Sequence, residues 1–498
     1  MNPLKQLAGQ TAIYGLSSVL ARVLNFLLVP FYTRIFVDPA EYGIVNELYA
    51  YVAFFIIILS YGMETAYFRF SSKYRNSQMV FSTALISLIT TSCIFAAFIF
   101  LFYSQIAGLI GYGESEKFIL FLGLVLSMDA IAAIPFARLR YTNRALLFAL
   151  IKLFNVGVNI FFNVFFLVLL PWLYTSGKGD FITGPLYNPD LRVGYVFLSN
   201  MLASFFTLMF FIKDILKTRM VYSLKLFREM ILYSLPLLIA GLAGTVNEVI
   251  DRIMLRFRLP DNIDALEQIG IYGANIKIAV LMTLFIQMFR YAFEPFFFSH
   301  EEDSDNRRLY ARVLNYFVIF GVFVFLVITM YIDVFQHIVG REYREGLNVV
   351  PIVLLGNLFL GIYFNLSVWY KLKGVTLFGA LFASCGALVT LTINYYFIPV
   401  YGYMASAWGH FFAYAVMVIL AYAIGRKYYA VPYDVKRILG YIAFGCLLFL
   451  AGYVFRVEDN LARYTINTFI IVIFTGTVLI KEKQLMNDVF GWKRHRNE

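Results

Sequence analysis

Residues 14–34 read YGLSSVLARVLNFLLVPFYTR, an almost wholly apolar stretch that carries Arg22 and Asn25 near its middle. The length suits a membrane helix, because a helix crosses the hydrocarbon core in roughly 20 residues. A guanidinium at the bilayer centre is energetically unfavourable and marks a functional position or a paired one. A neighbouring carboxylate, a water-filled cavity or an anionic ligand is therefore expected beside Arg22.

The composition of the 498-residue chain is that of an integral membrane protein. Hydrophobic residues make up 61% of the chain and charged residues 14%, whereas soluble domains have about 25% charged residues. The three cysteines lie in apolar runs and have no metal-binding spacing. With no phosphate-binding loop, zinc motif or nucleophile elbow, the sequence predicts no catalytic site, no metal site and no cofactor.

Fourteen apolar segments are long enough to cross the bilayer. The sequence therefore predicts an all-α membrane protein with about fourteen transmembrane helices. The predicted spans are 11–32, 43–63, 80–103, 118–137, 147–171, 193–212, 230–253, 269–293, 311–332, 350–370, 375–396, 403–424, 436–455 and 463–480.

The basic residues indicate how these spans are oriented. With the N-terminus in the cytoplasm, 23 of the 41 Lys and Arg residues lie in inner segments, 9 in outer loops and 9 within the spans. This bias follows the positive-inside rule and predicts that both termini are cytoplasmic. The net charge of +11 is then explained by the inner loops, and no nucleic-acid partner is predicted.

Two parts of the chain match in spacing and predict an internal repeat. The matches are Arg34-Ile35 with Arg252-Ile253, Tyr42-Gly43 with Tyr272-Gly273, and Glu47 with Lys277. Chance similarity between apolar stretches is the alternative reading. Transporters built from repeats bind their substrate between the repeats and alternate in access.

The repeat predicts four parts of the chain. They are an N-lobe over 1–212 (spans 1–6), a cytoplasmic amphipathic linker over 213–229, a C-lobe over 230–430 (spans 7–12), and residues 431–498 with spans 13 and 14 and a cytoplasmic tail.

The segments NFLLVPFYTRIFVDPAEYGIVNELYAY (25–51) and SLPLLIAGLAGTVNEVIDRIML (234–255), with the fourteen-span layout, resemble the polysaccharide flippases of the MOP superfamily. The resemblance covers essentially the whole chain, and Wzx-type O-antigen and capsule flippases are the nearest likeness. It implies two six-helix, MATE-like lobes plus two C-terminal helices. It also implies that the chain flips undecaprenyl-pyrophosphate-linked oligosaccharides from the inner to the outer leaflet of the bacterial inner membrane, for O-antigen, capsule or exopolysaccharide biosynthesis.

Seven polar residues within the spans are the predicted substrate-binding set. Guanidinium and ammonium groups suit a pyrophosphate, and amide groups suit sugar hydroxyls. Four of the seven lie at spacings of three and four along span 5, which places them on one helix face. Hydrogen bonding between helices is the alternative role of that face. The set is Arg22, Asn25, Lys152, Asn155, Asn159, Asn163 and Lys277.

A second set of residues is predicted to couple transport to Na⁺ or H⁺, or to form a gate. The set is Glu47, Asp129, Asp251, Glu248 and Arg252. Asp129 and Arg22 both lie roughly 16 Å deep in their spans, so a structural ion pair between them is the alternative to an anion-binding Arg22. Lys277 is a candidate gate partner for Glu47 across the lobes, and Glu248 with Arg252 suits a snorkelling ion pair.

Two other functions share some of these features. A MATE-type cation-coupled drug exporter has the same fold, but it is expected to line its cavity with acidic residues, whereas the deep residues here are mainly basic. A membrane polysaccharide polymerase or ligase needs a larger outer loop than the longest one here, residues 174–192. We therefore expect a transporter rather than an enzyme. Its partners are expected to be the lipid-linked substrate, membrane lipid and the polysaccharide assembly machinery.

Overall fold

A computed structural model of the chain describes residues 15, 18–74, 77–177, 180–299, 306–455 and 457–482. Over these residues the regular structure is helical, and no β-strand occurs. Thirteen of the described helices are long and apolar enough to cross a membrane, and one bent pair supplies a fourteenth crossing. The predicted all-α membrane fold with about fourteen spans is confirmed.

We number the membrane helices α1 to α14 in chain order. The eighth is bent by 42° between its two segments. The helices are α1 Ser18–Ile35, α2 Pro39–Lys73, α3 Ser77–Leu109, α4 Lys117–Tyr141, α5 Ala145–Thr175, α6 Gly194–Lys217, α7 Leu224–Arg258, α8 Ala265–Ile278 with Val280–Ser299, α9 Asn306–Met330, α10 Arg341–Leu372, α11 Leu377–Tyr401, α12 Tyr403–Tyr428, α13 Val435–Val454 and α14 Asn460–Lys481.

Most helices extend beyond the predicted spans. Helix α3 covers Ser77–Leu109 where 80–103 was predicted, because a helix can continue through the residues that flank its apolar core. Helix α6 continues to Lys217 and α7 begins at Leu224, with Ser223 as its N-cap, so residues 218–223 connect the two helices.

The chain divides into two compact units, Met1–Gly273 and Ala274–Glu498. The first unit contains α1 to α7 and the first residues of α8, and the second contains the remainder. The predicted lobe limits, with their boundary near residues 213–229, stay a prediction.

Helix α2 is interrupted between Ser60 and Met63. Tyr61 and Gly62 have left-handed φ values of 33° and 69°, a conformation that glycine adopts without cost and other residues adopt rarely. The Ser234 hydroxyl of α7 lies 3.4 Å from the Gly62 carbonyl oxygen, to which it donates. The break thus directs the second part of α2 along α7.

Buried polar pairs join neighbouring helices of the second unit. Ser406 of α12 donates to the Asn394 side chain of α11 at 2.7 Å. Asn467 of α14 donates to the Met330 carbonyl oxygen of α9 at 2.6 Å. Such bonds position membrane helices because hydrocarbon offers their polar groups no other partner.

Helices α2 and α8 cross at backbone contact within the first unit. A Cβ atom on Gly43 would overlap the carbonyl oxygen of Leu266, and one on Gly270 would overlap the carbonyl oxygen of Pro39. Gly273 faces the Asn46 side chain in the same way. Small residues at a membrane crossing let two helix backbones approach and gain dispersion contacts.

The crossing makes a stability prediction. Gly43→Ala should lower the free energy of unfolding by about 1–3 kcal/mol, because a backbone oxygen would have to move. The control is Gly244→Ala on α7, where a Cβ would meet no atom within 4 Å. This control should be neutral or stabilising, because alanine is the better helix former. Thermal unfolding of the two purified variants measures both effects. Equal melting temperatures for Gly43→Ala and Gly244→Ala would contradict the backbone contact at the crossing.

Candidate functional site

Away from the helix ends, four polar side chains of α1, α4 and α5 are exposed. They are Arg22 and Asn25 of α1, Asp129 of α4 and Lys152 of α5; we call them the exposed polar set. Charged groups within a bilayer face water or the bundle interior rather than lipid. The exposure of these side chains therefore indicates a water-accessible surface on the first unit.

Asp129 and Lys152 are neighbours within this set, and their charges attract one another. The Lys152 ammonium lies 4.3 Å from the centroid of the Phe136 ring, a cation–π contact. Among the described residues no ion pair joins Asp129 to Arg22. The Arg22–Asp129 ion pair, which was the alternative role of Arg22, is not formed here, and Lys152 is the cation beside Asp129.

The four polar residues on one face of α5, Lys152, Asn155, Asn159 and Asn163, differ in their surroundings. Asn155 donates to the Thr207 hydroxyl of α6 at 2.9 Å, and Asn163 accepts from the Tyr32 hydroxyl of α1 at 2.9 Å. Asn163 is fully buried and also donates to the Asn159 carbonyl oxygen at 2.8 Å. The structure therefore places Asn155 and Asn163 in contacts between or within helices, which is the alternative role, and leaves Lys152 exposed at the other end.

Glu47 lies buried in α2 beside residues that the sequence did not single out. The Tyr112 hydroxyl donates to its Oε2 at 2.6 Å, and the Arg256 Nε of α7 lies 3.8 Å from the same oxygen. The second oxygen, Oε1, has no hydrogen-bond partner among the described residues. Burial, followed by the Glu47 charge, raises the pKa of Tyr112, so this hydroxyl remains protonated and acts as the donor.

A second buried carboxylate lies close by on α7. Tyr272 of α8 donates to Asp251 Oδ2 at 2.7 Å, and the Arg252 Nη1 lies 3.3 Å from Asp251 Oδ1. Arg252 also donates to the backbone carbonyl oxygen of Glu248 at 2.5 Å. The expected Glu248–Arg252 side-chain pair is thus replaced by an Arg252–Asp251 pair, and the Glu248 side chain is exposed.

Lys277 is half-buried in the first segment of α8 and belongs to the second unit. Its predicted gate with Glu47 stays a prediction. Tyr112 and Arg256 are partners of Glu47 that no sequence pattern had indicated. Arg256 follows Arg252 at one helical turn, a spacing that could have drawn attention to it, whereas Tyr112 lies in the connection between α3 and α4 and follows no pattern.

A model of the family described as polysaccharide biosynthesis protein matches residues 7–301 of the chain. Among curated protein sequences, none matches it.

Solved structures of membrane transporters share the fold at low sequence identity. The lipid II flippase MurJ in an inward closed conformation is 15% identical, with 95% of this chain and 99% of that chain covered and a TM-score of 0.70. An inward-facing multidrug resistance MATE family transporter of the MOP superfamily is 12% identical, with 84% and 94% covered and a TM-score of 0.59. The MATE multidrug transporter DinF-BH is 14% identical, with 86% and 97% covered and a TM-score of 0.59. The chain therefore has the fold of MOP-superfamily transporters.

The Glu47 contacts predict a non-additive pair of substitutions. Arg256→Gln should lower the free energy of unfolding by about 1–3 kcal/mol, because it leaves a buried carboxylate without its cation. Adding Glu47→Gln should recover part of that loss. The control is Arg192→Gln, which removes the exposed guanidinium that pairs with Glu41 and should cost less than about 1 kcal/mol. Melting temperatures that fall additively in the double variant would contradict the pairing.

Proposed function

This chain belongs to the family of polysaccharide biosynthesis proteins, and we propose that it flips an undecaprenyl-pyrophosphate-linked oligosaccharide from the inner to the outer leaflet. Two findings support this function: the family concerns polysaccharide assembly, and the fold is one used for transport. The titles of the similar structures name a lipid II flippase and multidrug transporters. The flipped oligosaccharide would serve surface polysaccharide biosynthesis.

The observation that carries the proposal is the exposure of Arg22 and Lys152 within membrane spans. A pyrophosphate carries at least two negative charges and is the part of the substrate that hydrocarbon opposes most. A guanidinium binds two phosphate oxygens with a planar fork, and an ammonium adds a point charge. The neighbouring amides, Asn25 and half-buried Asn159, suit sugar hydroxyls, while the polyprenyl tail remains in lipid.

Asp129 supplies the coupling step in this scheme. Its exposed carboxylate lies beside Lys152. Binding of H⁺ or Na⁺ to Asp129 neutralises this carboxylate and so changes the interaction of the Lys152 ammonium with the pyrophosphate. A ligand shifts a conformational equilibrium only through its different affinity for the two states. A cation that neutralises Asp129 in one state therefore drives alternation between inward- and outward-open forms.

The proposed location is the bacterial inner membrane with both termini in the cytoplasm, as the distribution of basic residues favours. In this orientation α2 begins, and α7 ends, at the outer face. The chain would receive its substrate from the enzymes that build the oligosaccharide on the inner leaflet and deliver it to the polysaccharide assembly machinery outside.

The pyrophosphate role predicts the effect of two substitutions. Arg22→Gln and Lys152→Gln should each weaken binding of the lipid-linked pyrophosphate to purified protein by about tenfold or more, the value of a lost charge-assisted hydrogen bond. Surface polysaccharide should fall in cells at unchanged membrane protein level. The control is Lys117→Gln, which removes an exposed cation at the start of α4. Undiminished binding by both variants would refute the role.

The coupling role predicts a separate effect for Asp129→Asn. In proteoliposomes this variant should still bind the substrate but should lose the dependence of flipping on an imposed H⁺ or Na⁺ gradient. The matched control is Asp190→Asn, because Asp190 is exposed in the outer connection before α6. Gradient-dependent flipping by Asp129→Asn would exclude Asp129 as the coupling carboxylate.

A further inference from the structure

A cavity of about 480 Å³ lies in the first unit, and no member of the exposed polar set lines it. It is lined by the first turns of α3, by the last turns of α4 and α6, and by residues that directly follow those two helices, including Arg144 just before α5. None of the residues predicted to bind substrate or to couple ions lines it. Its size is within the range of small-molecule and cofactor sites, roughly 300–1,000 Å³.

The cavity has an apolar wall and a cationic rim. Phe81, Leu139 and Phe211 are buried apolar side chains of the wall. The cations are Arg138, Arg144, Lys217 and Arg219, and the single carboxylate that lines the cavity is Asp214. Four positive charges against one negative charge leave a net charge of +3 around the opening.

These cations have no carboxylate partner among the described residues. Arg138 is held by its neighbours, with its guanidinium 4.3 Å from the Phe81 ring centroid and its Nη1 3.4 Å from the Thr218 hydroxyl. Arg144, Lys217 and Arg219 are exposed. The rim is therefore a concentration of positive charge that the protein itself does not neutralise.

We propose that this cavity binds the phosphate headgroup of an anionic membrane phospholipid. An apolar wall below a cationic rim matches an amphiphile whose phosphate meets the rim and whose glycerol and first acyl carbons meet the wall. The helix ends that form the cavity are on the side that the positive-inside count assigns to the cytoplasm. Basic pockets between membrane helices on that side are suited to anionic lipid headgroups.

The bound lipid has a structural consequence. Its phosphate contacts cations from α4, the start of α5 and the end of α6 at once, so it links helix ends that are joined in the structure by few polar contacts. The Arg138–Thr218 bond, at 3.4 Å, is one of these contacts and is long. The lipid is therefore a constituent of the first unit, and the assignment does not depend on the proposed transport activity.

Native mass spectrometry of the detergent-purified full chain, titrated with phosphatidylglycerol, tests the site. The Arg144→Gln/Arg219→Gln variant should bind this lipid about thirtyfold more weakly, the effect of removing two cations near an anionic headgroup. The matched control, Lys213→Gln/Lys225→Gln, removes two exposed cations near the same membrane face that do not line the cavity. It should bind as the unmodified chain does, and zwitterionic phosphatidylcholine should bind weakly to all three.

Four results would overturn the assignment. Equal losses in the control would mean general charge attraction, and equal binding of phosphatidylcholine would mean that no anionic headgroup is selected. Inorganic phosphate that displaces phosphatidylglycerol at equal concentration would mean a free-anion site. If the cavity variant lost binding of undecaprenyl pyrophosphate while it kept phosphatidylglycerol, the ligand would be the substrate lipid. A circular dichroism spectrum and melting temperature like those of the control show that the variant is folded.

Discussion

Hydrocarbon contains no water, and this constraint divides the polar side chains of the first unit into two groups. Three buried acceptors each receive a hydrogen bond from a tyrosine hydroxyl. The pairs are Glu47 with Tyr112, Asp251 with Tyr272, and Asn163 with Tyr32. A tyrosine suits this task because its ring packs with apolar neighbours while its hydroxyl supplies one donor. The exposed polar set has no such tyrosine donors among the described residues, and in the proposed function this is the group that exchanges water for a ligand.

The sequence predicted the number of spans because hydropathy is a local property that each segment carries in its own residues. The partners of polar residues were harder to predict, because they depend on how helices rotate against one another. The spacing of Lys152, Asn155, Asn159 and Asn163 predicts that they share one helix face, but it did not show that α6 and α1 supply partners to Asn155 and Asn163. Tyr112 escaped prediction because it lies in a connection between helices, where no periodicity marks a buried donor.

The crossing of α2 and α8 has properties that alternating access requires. Gly43 and Gly270 bring two backbones into contact, and the contact is held by dispersion between groups whose hydrogen bonds are already made within each helix. Separation of these two backbones at the glycine contact would therefore break no hydrogen bond. In the proposed orientation the crossing lies at the outer side, and in the predicted lobes it joins the N-lobe to the C-lobe. If the chain alternates in access as proposed, this crossing would close the outer side in one form and separate in the outward-open form.

The Glu47 carboxylate adds an electrostatic attraction between the same two predicted lobes. Tyr112 and Glu47 belong to the predicted N-lobe and would move together in the proposed transport cycle, whereas Arg256 on α7 belongs to the predicted C-lobe. The 3.8 Å separation between Glu47 and Arg256 therefore spans the surface that opens. At that distance the attraction depends strongly on how much water enters, because the effective dielectric constant rises with hydration. In the proposed transport cycle, the first water to enter would weaken this attraction, so the Glu47–Arg256 contact would resist small openings more than large ones.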